Sequence, residues 1–470
     1  METILERELK LEPTAGFELP ELPGEPLDSR VFTSTYYDTP PRSLAAVGIT
    51  LRRRVENGRS LWQLKLPRDE GRAEIEAPGG PVAPPDELAA LLVAHLRHGE
   101  LEPIATLRTR RVGVRVTTRD GGRVADVTHD VVTVMDAGRA TGAFEELEIE
   151  LLDGDEDDLE KLARRLRRAG AEPSDGAPKV MRVLGLRPAK PRTGKTTLDR
   201  LRALLETQFR ELEKHDPGVR LGDDPEDVHK FRVATRRTRA LVRATRPLLG
   251  DTLEPLAVEL KWLAQKLGEV RDLDVMLEHL RDEARSLGDD APAAWELVAV
   301  LEVERERNRR DLLEALESDR YLALLHTFAS SVALLPDLNA KPSLRRIAAD
   351  SLQKLRKAAR ALPANPPDDE LHALRIRAKR ARYAGELAAT EGGGKRMAGY
   401  LDALKRLQDV VGEHHDAVVA EERLRRIARA RTAVAAGRLV ERERERRRER
   451  REEFGDALER TLRRGRKALA

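Results

Sequence analysis

Length, composition and charge limit what this chain can be. It has 470 residues, of which 36% are charged and 3% are aromatic, and its 86 Lys and Arg residues nearly balance its 83 Asp and Glu residues. A chain of this length is expected to form two or three domains, each able to bury a core. The absence of cysteine excludes disulfides, thiolate catalysis and sulfur-ligated metals. Because the formal net charge is only +3, attraction to a polyanion would depend on local clusters of charge.

The pattern of the chain changes once. Residues 1–187 contain short segments with period-two alternation, broken by Gly and Pro, which predict strands. Residues 188–195 predict a linker, and residues 196–470 have helical periodicity almost throughout. The N-terminus is polar and no apolar run approaches the length that spans a membrane. We therefore expect a cytoplasmic protein with a β-rich domain followed by an all-α domain.

Nearly every predicted strand carries two or three ionisable side chains on one face. In the first strand, Glu6, Glu8 and Lys10 are two residues apart and share a face. A single strand of this kind is explained by a solvated face. The whole set favours another arrangement, because carboxylate rows can hold a hard divalent cation while Arg and Lys hold phosphoryl oxygens. In a barrel with its polar faces inward, both sets would surround one metal-bound polyphosphate.

Charged motifs follow the strands in a characteristic order. They comprise Glu6, Glu8 and Lys10; Tyr36 to Thr39; Arg52 and Arg54; Trp62, Lys65 and Pro67; Arg72, Glu74 and Glu76; Arg108 and Arg110; Asp126; Glu146, Glu148 and Glu150; and Lys179. This series, over residues 1–187, resembles the CYTH domains, the triphosphate tunnel metalloenzymes. The resemblance implies an α+β domain, an antiparallel β-barrel tunnel with peripheral helices, that acts on triphosphate-containing substrates with Mg²⁺ or Mn²⁺.

The resemblance also implies a role for each charged position. The implied metal ligands are Glu6, Glu8, Glu146 and Glu148, although the member of the Glu146, Glu148 and Glu150 row that contacts metal is left open. The implied phosphate-binding residues are Lys10, Arg52, Arg54, Lys65, Arg72, Arg108, Arg110 and Lys179. The implied catalytic, water-orienting residues are Glu74, Glu76 and Asp126.

Two helical segments of the second region carry the same cationic stripe. In residues 228–239 the stripe is His229, Arg232, Arg236 and Arg239, and at 100° per residue these four fall within an arc of roughly 80°. In residues 371–382 the same places are taken by His372, Arg375, Lys379 and Arg382. A charged helix face is usually just solvated, but two copies with the histidine in register favour a shared function. If the histidines contribute charge, anion binding should strengthen as the pH falls through about 6.5.

The helical region predicts two pseudo-symmetric halves of four helices each, at about residues 196–335 and 343–470. In their third helices, Leu267, Val270 and Asp274 are matched with Leu407, Val410 and Asp416. The duplicated histidine pattern, with the segment from Leu267 to Asp274, resembles the CHAD domain. That resemblance implies a helical fold that binds inorganic polyphosphate through His229, Arg232, Arg236, Arg237, Arg239, His372, Arg375, Lys379, Arg380 and Arg382.

Together these features predict a metal-dependent triphosphatase joined to a polyphosphate-binding domain. The expected cofactor is Mg²⁺ or Mn²⁺, and the expected partners are inorganic tripolyphosphate or polyphosphate, with a location in the cytoplasm and on polyphosphate granules. Nucleic acid is a less favoured ligand, because few aromatic side chains are present to stack on bases. Two alternatives stay open. One is a non-catalytic polyphosphate-binding protein, and the other is a nucleotide or thiamine triphosphate enzyme of the same fold.

Overall fold

The chain divides into two compact units, Met1–Lys190 and Pro191–Ala470. The computed structural model describes residues 2–68, 71–97, 99–188, 196–336 and 343–470. The predicted linker, residues 188–195, lies outside these ranges except for its first residue. Within the described ranges, no helix combines the length and the apolar character needed to cross a bilayer.

The first unit is built on one antiparallel sheet of ten strands, with the order β1-β6-β5-β4-β3-β7-β8-β9-β2-β10 among the described residues. The strands are β1 (Glu2–Glu6), β2 (Glu8–Pro13), β3 (Gly24–Asp38), β4 (Thr50–Glu56), β5 (Arg59–Arg68), β6 (Gly71–Pro78), β7 (Glu102–Thr117), β8 (Arg123–Asp136), β9 (Arg139–Leu151) and β10 (Ala171–Pro173). The helices are α1 (Asp86–Ala90), α2 (Val93–Leu96), α3 (Glu156–Arg168) and α4 (Lys179–Leu184). Local sequence explains the β4–β5 hairpin: Asn57 and Gly58 have φ of 49° and 77°, the type I′ conformation that this dipeptide favours.

The sheet closes on itself through its first two strands. β1 pairs with β6, whereas β2 pairs with β9 at the other side of the sheet. Arg7 alone separates β1 from β2, and its carbonyl oxygen accepts a hydrogen bond from the Leu151 amide at 2.9 Å. Since two strands that are nearly continuous in the chain pair with opposite sides of the sheet, the sheet must curl into a barrel. The predicted antiparallel barrel with peripheral helices is confirmed.

The apolar core of this unit lies mostly on the outer face of the barrel. Leu147 and Ile149 of β9 and Val127 of β8 pack outward against α3, together with Leu162 and other residues of that helix. Because side chains alternate along a strand, their neighbours Glu148 and Glu150 point to the interior. At one end of the barrel, a second apolar cluster forms where Val180 and Met181 of α4 pack with Leu107, Val132 and Tyr36.

The second unit is entirely helical in its described residues. Its helices are α5 (Thr197–Leu221), α6 (Pro225–Leu249), α7 (Glu254–Arg285), α8 (Ala291–Glu317), α9 (Asp319–Ala333), α10 (Leu344–Ala361), α11 (Asp368–Ala389), α12 (Gly394–Ile427) and α13 (Ala433–Leu469). Side-chain caps mark several starts, as expected: Thr196 caps α5 in a capping box with Asp199, and Ser343 caps α10.

The helices form two similar halves. In the first half α5, α6, α7 and α8 pack in succession, and in the second half α10, α11, α12 and α13 do the same. The fourth helix of the first half is interrupted at Ser318, whose side chain caps α9. α9 packs on α5 and α7 as α13 packs on α10 and α12. The predicted four-helix halves are therefore confirmed, with the fourth helix in two pieces in the first half. α6 also packs directly on α11, so the two copies of the cationic stripe lie on neighbouring helices.

Candidate functional site

The barrel encloses a cavity of about 1110 Å³, which we call the tunnel cavity. Charged side chains of both signs line it, because most of the described strands turn charged side chains inward. Of the residues predicted for this site, the cavity is lined by Glu6, Glu8, Lys10, Arg52, Arg54, Lys65, Arg72, Glu74, Glu76, Asp126, Glu148 and Lys179.

Lysine–carboxylate pairs occupy one side of the tunnel cavity. Lys10 Nζ lies 3.1 Å from Glu146 Oε1 and 2.7 Å from Glu148 Oε1. Lys179 Nζ, at the start of α4, lies 2.6 Å from the same oxygen of Glu146 and 3.1 Å from Asp130 Oδ2. Burial lowers the pKa of Lys10, but Glu148, Glu8 and Glu146 outweigh that effect and hold it well above its usual value. Burial likewise opposes ionisation of Glu148, yet Lys10, Lys179 and Arg111 keep its pKa well below the usual range.

A second group of carboxylates is gathered around Lys65. Its Nζ lies 2.6 Å from both carboxylate oxygens of Glu6 and 3.4 Å from Glu74 Oε2. Glu150 faces the same group. Burial, then Glu6, raise the pKa of Glu150 to about 7, with Glu74 and Glu148 adding to the effect and Lys65 opposing it. So many carboxylates close together are stabilised by any additional cation.

The predicted metal ligands provide suitable chemistry but are already paired. Carboxylate oxygens are the donors that Mg²⁺ and Mn²⁺ prefer, and Glu6, Glu8, Glu148 and Glu150 all line the cavity. Glu146 is only 1% exposed and is not among the lining residues, whereas Glu150, the third member of the same row, lines the cavity. Across the described ranges, no group of three or more His, Asp or Glu side chains is arranged to hold an ion. A metal would therefore have to replace lysines as the partner of these carboxylates.

The predicted arginines of strands β4 and β6 all reach the cavity. Arg52 donates from Nε to Gln63 Oε1 at 2.7 Å and from Nη1 to the Tyr36 hydroxyl at 3.2 Å. Arg54 lies 4.0 Å from the ring centroid of Phe32, in a cation–π contact. Arg72 donates to the Gly48 carbonyl at 2.9 Å, and burial lowers the pKa of its guanidinium.

The placement of Arg108 and Arg110 in the tunnel is corrected by the structure. Both side chains are exposed on the outer face of β7, because they alternate with Arg111, which lines the cavity. Arg115, four residues further along β7 and on the same face, also lines it. Sequence reasoning missed Arg111 and Arg115. Three arginines in the four residues from 108 to 111 left the phase of the strand ambiguous.

Two of the missed arginines hold aspartates in bidentate pairs. Arg111 donates to Asp130 through Nε and Nη2, both at 2.7 Å, and also contacts Glu148. Arg115 donates to Asp126 through Nε and Nη2, both at 2.8 Å. Asp126, predicted to orient water, is thus engaged in positioning Arg115. The other two predicted catalytic residues, Glu74 and Glu76, both accept hydrogen bonds from Gln63 Nε2.

In the helical unit, the two cationic stripes merge. Burial lowers the pKa of Lys379 to about 7, and the nearby charges of Arg375, Arg236 and Arg232 contribute to the shift. The pKa of Arg375 is also lowered, first by burial and then by Arg232 and Arg236, against the opposing effect of Asp416. We call Arg232, Arg236, Arg375 and Lys379 the helical cluster. It draws two cations from α6 and two from α11, so the two predicted stripes contribute to one cluster.

Other groups border the helical cluster. Arg232 Nη2 lies 3.0 Å from Asp272 Oδ1, and Arg236 Nε donates to the Tyr383 hydroxyl at 2.8 Å. The rings of His372 and His415 are in contact, with centroids 4.3 Å apart. Burial and neighbouring cations lower the pKa values of the predicted histidines, His229 and His372.

The match between the third helices is also corrected. A methyl group at Gly268 would contact Arg232 Nη2 at 3.7 Å, and one at Gly412 would contact Arg375 Nη2 at the same distance. Gly268 therefore corresponds to Gly412, and Asp272, not Asp274, corresponds to Asp416. Each glycine is followed by a glutamate and, three residues later, by that aspartate. This Gly-Glu-x-x-Asp signal was present in the sequence but was obscured by aligning on the leucines.

The remaining predicted residues extend the cationic surface along α6 and α11. Burial and then Arg243 lower the pKa of both Arg239 and Arg380, so these side chains lie near a further arginine that the prediction omitted. Arg382 donates from Nε to Glu386 Oε1 at 2.9 Å, and Arg237 Nε lies 4.0 Å from Glu386 Oε2.

Both units of the chain are similar to known proteins. A CYTH domain model matches residues 5–180, and a CHAD domain model matches residues 203–425. An uncharacterized protein of Mycobacterium tuberculosis is 31% identical over 438 residues, which cover 86% of this chain and 83% of that protein. The predicted order of the two domains is confirmed.

Solved structures similar to this chain include the CHAD domain from the plant Ricinus communis. It is 25% identical, covers 58% of this chain and 95% of its own, and has a TM-score of 0.47. PptA from Streptomyces chartreusis is 24% identical, covers 56% of this chain and 100% of its own, and also has a TM-score of 0.47. HpAC1 from Hippeastrum, for which a dominant triphosphatase activity is described, is 18% identical. It covers 40% of this chain and 98% of its own, and has a TM-score of 0.26.

Proposed function

Because the chain belongs to the CYTH and CHAD families, we propose that it hydrolyses inorganic tripolyphosphate in its tunnel and binds inorganic polyphosphate on its helical unit. The observation that carries the proposal is a cavity inside the barrel that is lined by both rows of carboxylates and rows of cations. A phosphoanhydride substrate needs cations to neutralise its oxygens, and a hard metal ion needs carboxylates to hold it. The tunnel cavity provides both.

The lining favours an inorganic substrate over a nucleotide. Among the described lining residues, Tyr36 is the one aromatic side chain, and its hydroxyl is engaged by Arg52. A nucleobase or a thiamine ring is usually held by stacking on exposed aromatic surface. Phosphate oxygens, by contrast, would meet Lys10, Lys65 and Arg52 directly.

The metal would be held by Glu6, Glu8, Glu148 and Glu150. CYTH domains are in general metal-dependent, and we propose Mg²⁺ or Mn²⁺ on the basis of the all-oxygen donor set. When bound, such an ion supplies charge neutralisation at the transferred phosphoryl group and a more acidic water.

Two lysines of this site could exchange their carboxylate partners for phosphate oxygens. Lys65 holds Glu6, and Lys10 holds Glu148. If these carboxylates held a metal ion, the two ammonium groups would be available to bind phosphate oxygens, and each buried charge would keep a partner. Gln63 meanwhile holds Glu74 and Glu76, which could accept hydrogen bonds from the attacking water.

The helical cluster supports the second part of the proposal. Burial and the nearby charges of Arg232 and Arg236 lower the pKa values of Arg375 and Lys379, so an excess of positive charge is held together by the packing of α6 on α11. A polyanion would relieve that repulsion. Arg forks are suited to phosphate oxygens, and binding would release counterions from the polyphosphate and so weaken with salt.

The test is phosphate release from tripolyphosphate by the full chain. We expect release with Mg²⁺ or Mn²⁺, none with EDTA, and slower release from ATP and thiamine triphosphate. Glu8→Gln should lower the rate by about 100-fold, the size seen when one key electrostatic group is removed from an active site. Glu8 contacts only Lys10 at 3.7 Å among the ion pairs of the described residues, so folding should be unaffected.

The matched control is Glu102→Gln. Glu102 pairs with Arg42 at 2.9 Å in the same unit and does not line the cavity, so its replacement should leave the rate unchanged. Equal activity in EDTA would contradict metal dependence. Tight binding of tripolyphosphate without hydrolysis would favour the non-catalytic alternative.

A further inference from the structure

The two ends of the tunnel cavity differ in exposure. One end is closed by the apolar cluster in which Met181 of α4 packs against Leu107. At the other end, residues 28–31, Asn57 and Arg59 line the cavity and are exposed. We call this exposed end the outer mouth, because a substrate can enter there.

Glu56 occupies the outer mouth between two arginines. Its Oε1 accepts a hydrogen bond from Arg30 Nε at 2.7 Å, and its Oε2 accepts from Arg30 Nη2 at 2.8 Å and from Arg54 Nη2 at 2.5 Å. The Glu56 side chain is 18% exposed and that of Arg54 is 14% exposed. Arg54 is held further by its contact with Phe32. The carboxylate thus accepts hydrogen bonds from two nitrogens of Arg30 and one of Arg54.

This arrangement resembles the way arginine holds a phosphate. Carboxylate and phosphate both present oxygen pairs to the guanidinium fork, so Glu56 occupies positions that a phosphate group could use. Without it, Arg30, Arg54 and Arg52 would lie close together with their charges less compensated. Burial and Arg52 already lower the pKa of Arg54, while Glu56 opposes the shift.

We propose that Glu56 limits the length of the phosphate chain that the tunnel cavity binds, because it acts as an internal counter-ion at the outer mouth. A phosphate chain that reaches from the inner lysines to the outer mouth meets the Glu56 carboxylate. That carboxylate repels the phosphate chain and competes with it for Arg30 and Arg54. Phosphates beyond those that fill the inner cavity therefore add little affinity. This inference rests on the proposed function, since it assigns the chain length of the same substrate.

The experiment compares the binding of tripolyphosphate and tetrapolyphosphate to the full chain by calorimetry, with Ca²⁺ in place of Mg²⁺ or Mn²⁺ so that the carboxylates have a cation that prefers oxygen ligands, and with phosphate release monitored to exclude hydrolysis. The helical cluster is silenced in every protein by replacing Arg232, Arg236, Arg375 and Lys379 with Gln. With Glu56 intact, we expect the two affinities to agree within about twofold. With Glu56→Gln, tetrapolyphosphate should bind about tenfold tighter than tripolyphosphate, the effect of freeing charged hydrogen-bond donors for one further phosphate.

The control is Glu102→Gln in the same background, which removes an arginine partner away from the cavity and should leave the ratio of the two affinities unchanged. The inference is overturned if tetrapolyphosphate already binds about tenfold tighter with Glu56 intact, if Glu56→Gln strengthens both ligands equally, or if neither ligand binds. The first of these outcomes is measured with Glu56 present, so it decides the matter even if the variant does not fold.

The chain-length test is separate from the test of catalysis. A protein that shows the expected affinity ratios but releases no phosphate from tripolyphosphate would keep the role of Glu56 and lose the proposed activity. A protein that hydrolyses tripolyphosphate with metal but, with Glu56 intact, binds tetrapolyphosphate about tenfold more tightly than tripolyphosphate would keep the proposed activity and lose the role of Glu56.

Discussion

The tunnel cavity and the helical cluster both gather cations, but they balance charge in opposite ways. In the tunnel, nearby carboxylates outweigh the cost of burial and raise the pKa values of Lys10 and Lys179. In the helical cluster, burial and neighbouring cations lower the pKa values of Arg375 and Lys379. The tunnel is therefore neutralised from within, whereas the helical cluster holds positive charge that is only partly compensated.

The difference explains how each site would treat a phosphate ligand. Paired charges can be exchanged only if both partners find replacements, which suits a site that takes a metal and an anion together. An excess of like charge needs only an anion, which suits a site that binds by electrostatic attraction and counterion release. The comparison thus separates a site suited to chemistry from a site suited to retention.

The largest expected effect is on stability. Glu148→Gln should lower the free energy of unfolding of the first unit by about 3–5 kcal/mol, because it leaves buried Lys10, Lys179 and Arg111 short of a counter-charge. Removing a cation from the helical cluster by Lys379→Met should instead leave stability unchanged or raise it. Urea unfolding of the full chain measures both, with Glu102→Gln as the control. A similar loss in Glu148→Gln and Lys379→Met would abolish the contrast between the sites.

The next effect concerns the merging of the two stripes. Arg375→Glu should weaken long-chain polyphosphate binding by about 100-fold, since one reversal disturbs all four cations of the cluster. Arg232→Glu should cost as much, and the double variant little more than either, because residues that share one site are not additive.

Arg448→Glu is the control for these reversals. Arg448 is an exposed residue of α13 that pairs with Glu445, and its reversal should change affinity by less than about twofold. If the losses of polyphosphate affinity in Arg232→Glu and Arg375→Glu are strictly additive, the two stripes bind independently. Equal binding of single-stranded DNA of matched charge would contradict selectivity for polyphosphate.

A smaller effect tests exchange in the tunnel. Lys65→Met should raise Mn²⁺ affinity in the absence of substrate and lower tripolyphosphate affinity, each by about tenfold, the size of a hydrogen bond to a charged group. The reason is that Lys65 holds both oxygens of Glu6. Lys161→Met is the control, because the exposed side chain of Lys161 pairs with Asp158 on α3. A loss of both affinities would show that Lys65 only maintains the fold.

The smallest effect is the pH dependence of polyphosphate binding. The pKa of Lys379 is about 7 in the free protein, and a bound anion would raise it towards the usual value. Affinity should therefore be greatest below pH 7 and fall, by at most about tenfold per unit, as the pH rises above it. Lys379→Arg should remove this dependence.

The same titration tests the earlier expectation for the histidines. Burial and nearby cations lower the pKa values of His229 and His372, so their protonation should contribute below pH 6.5 and not at it. If the affinity of the Lys379→Arg variant still changes in a single step near pH 6.5, the histidines are responsible for the pH dependence.

The sequence alone determined the order of the charged strands and the repetition of the cationic helix. Period-two alternation placed Glu6, Glu8 and Lys10 on one face. All three line the tunnel cavity, although the predicted single strand is divided at Arg7 into β1 and β2. Helical periodicity likewise placed Arg232 and Arg236 on one side of α6. These are local properties, so they could be recognised without knowing which elements pack together.

Tertiary structure decided which charges share a site. The phase of β7 selected Arg111 and Arg115 over Arg108 and Arg110, because it depends on pairing with β3 and β8. Curvature of the closed sheet brought Glu150 to Glu6, which is distant in sequence. These outcomes depend on contacts between segments that are remote in the sequence, which the alternation within one strand does not predict.

The helical cluster shows the same limit most simply. Each stripe was visible in the sequence, but their merging depends on α6 packing against α11. The correspondence of Asp272 with Asp416 follows from the packing of Gly268 near Arg232 and of Gly412 near Arg375. Sequence periodicity determines which face of a helix is charged, whereas the pKa of Lys379 is determined by the charges that packing places across from it.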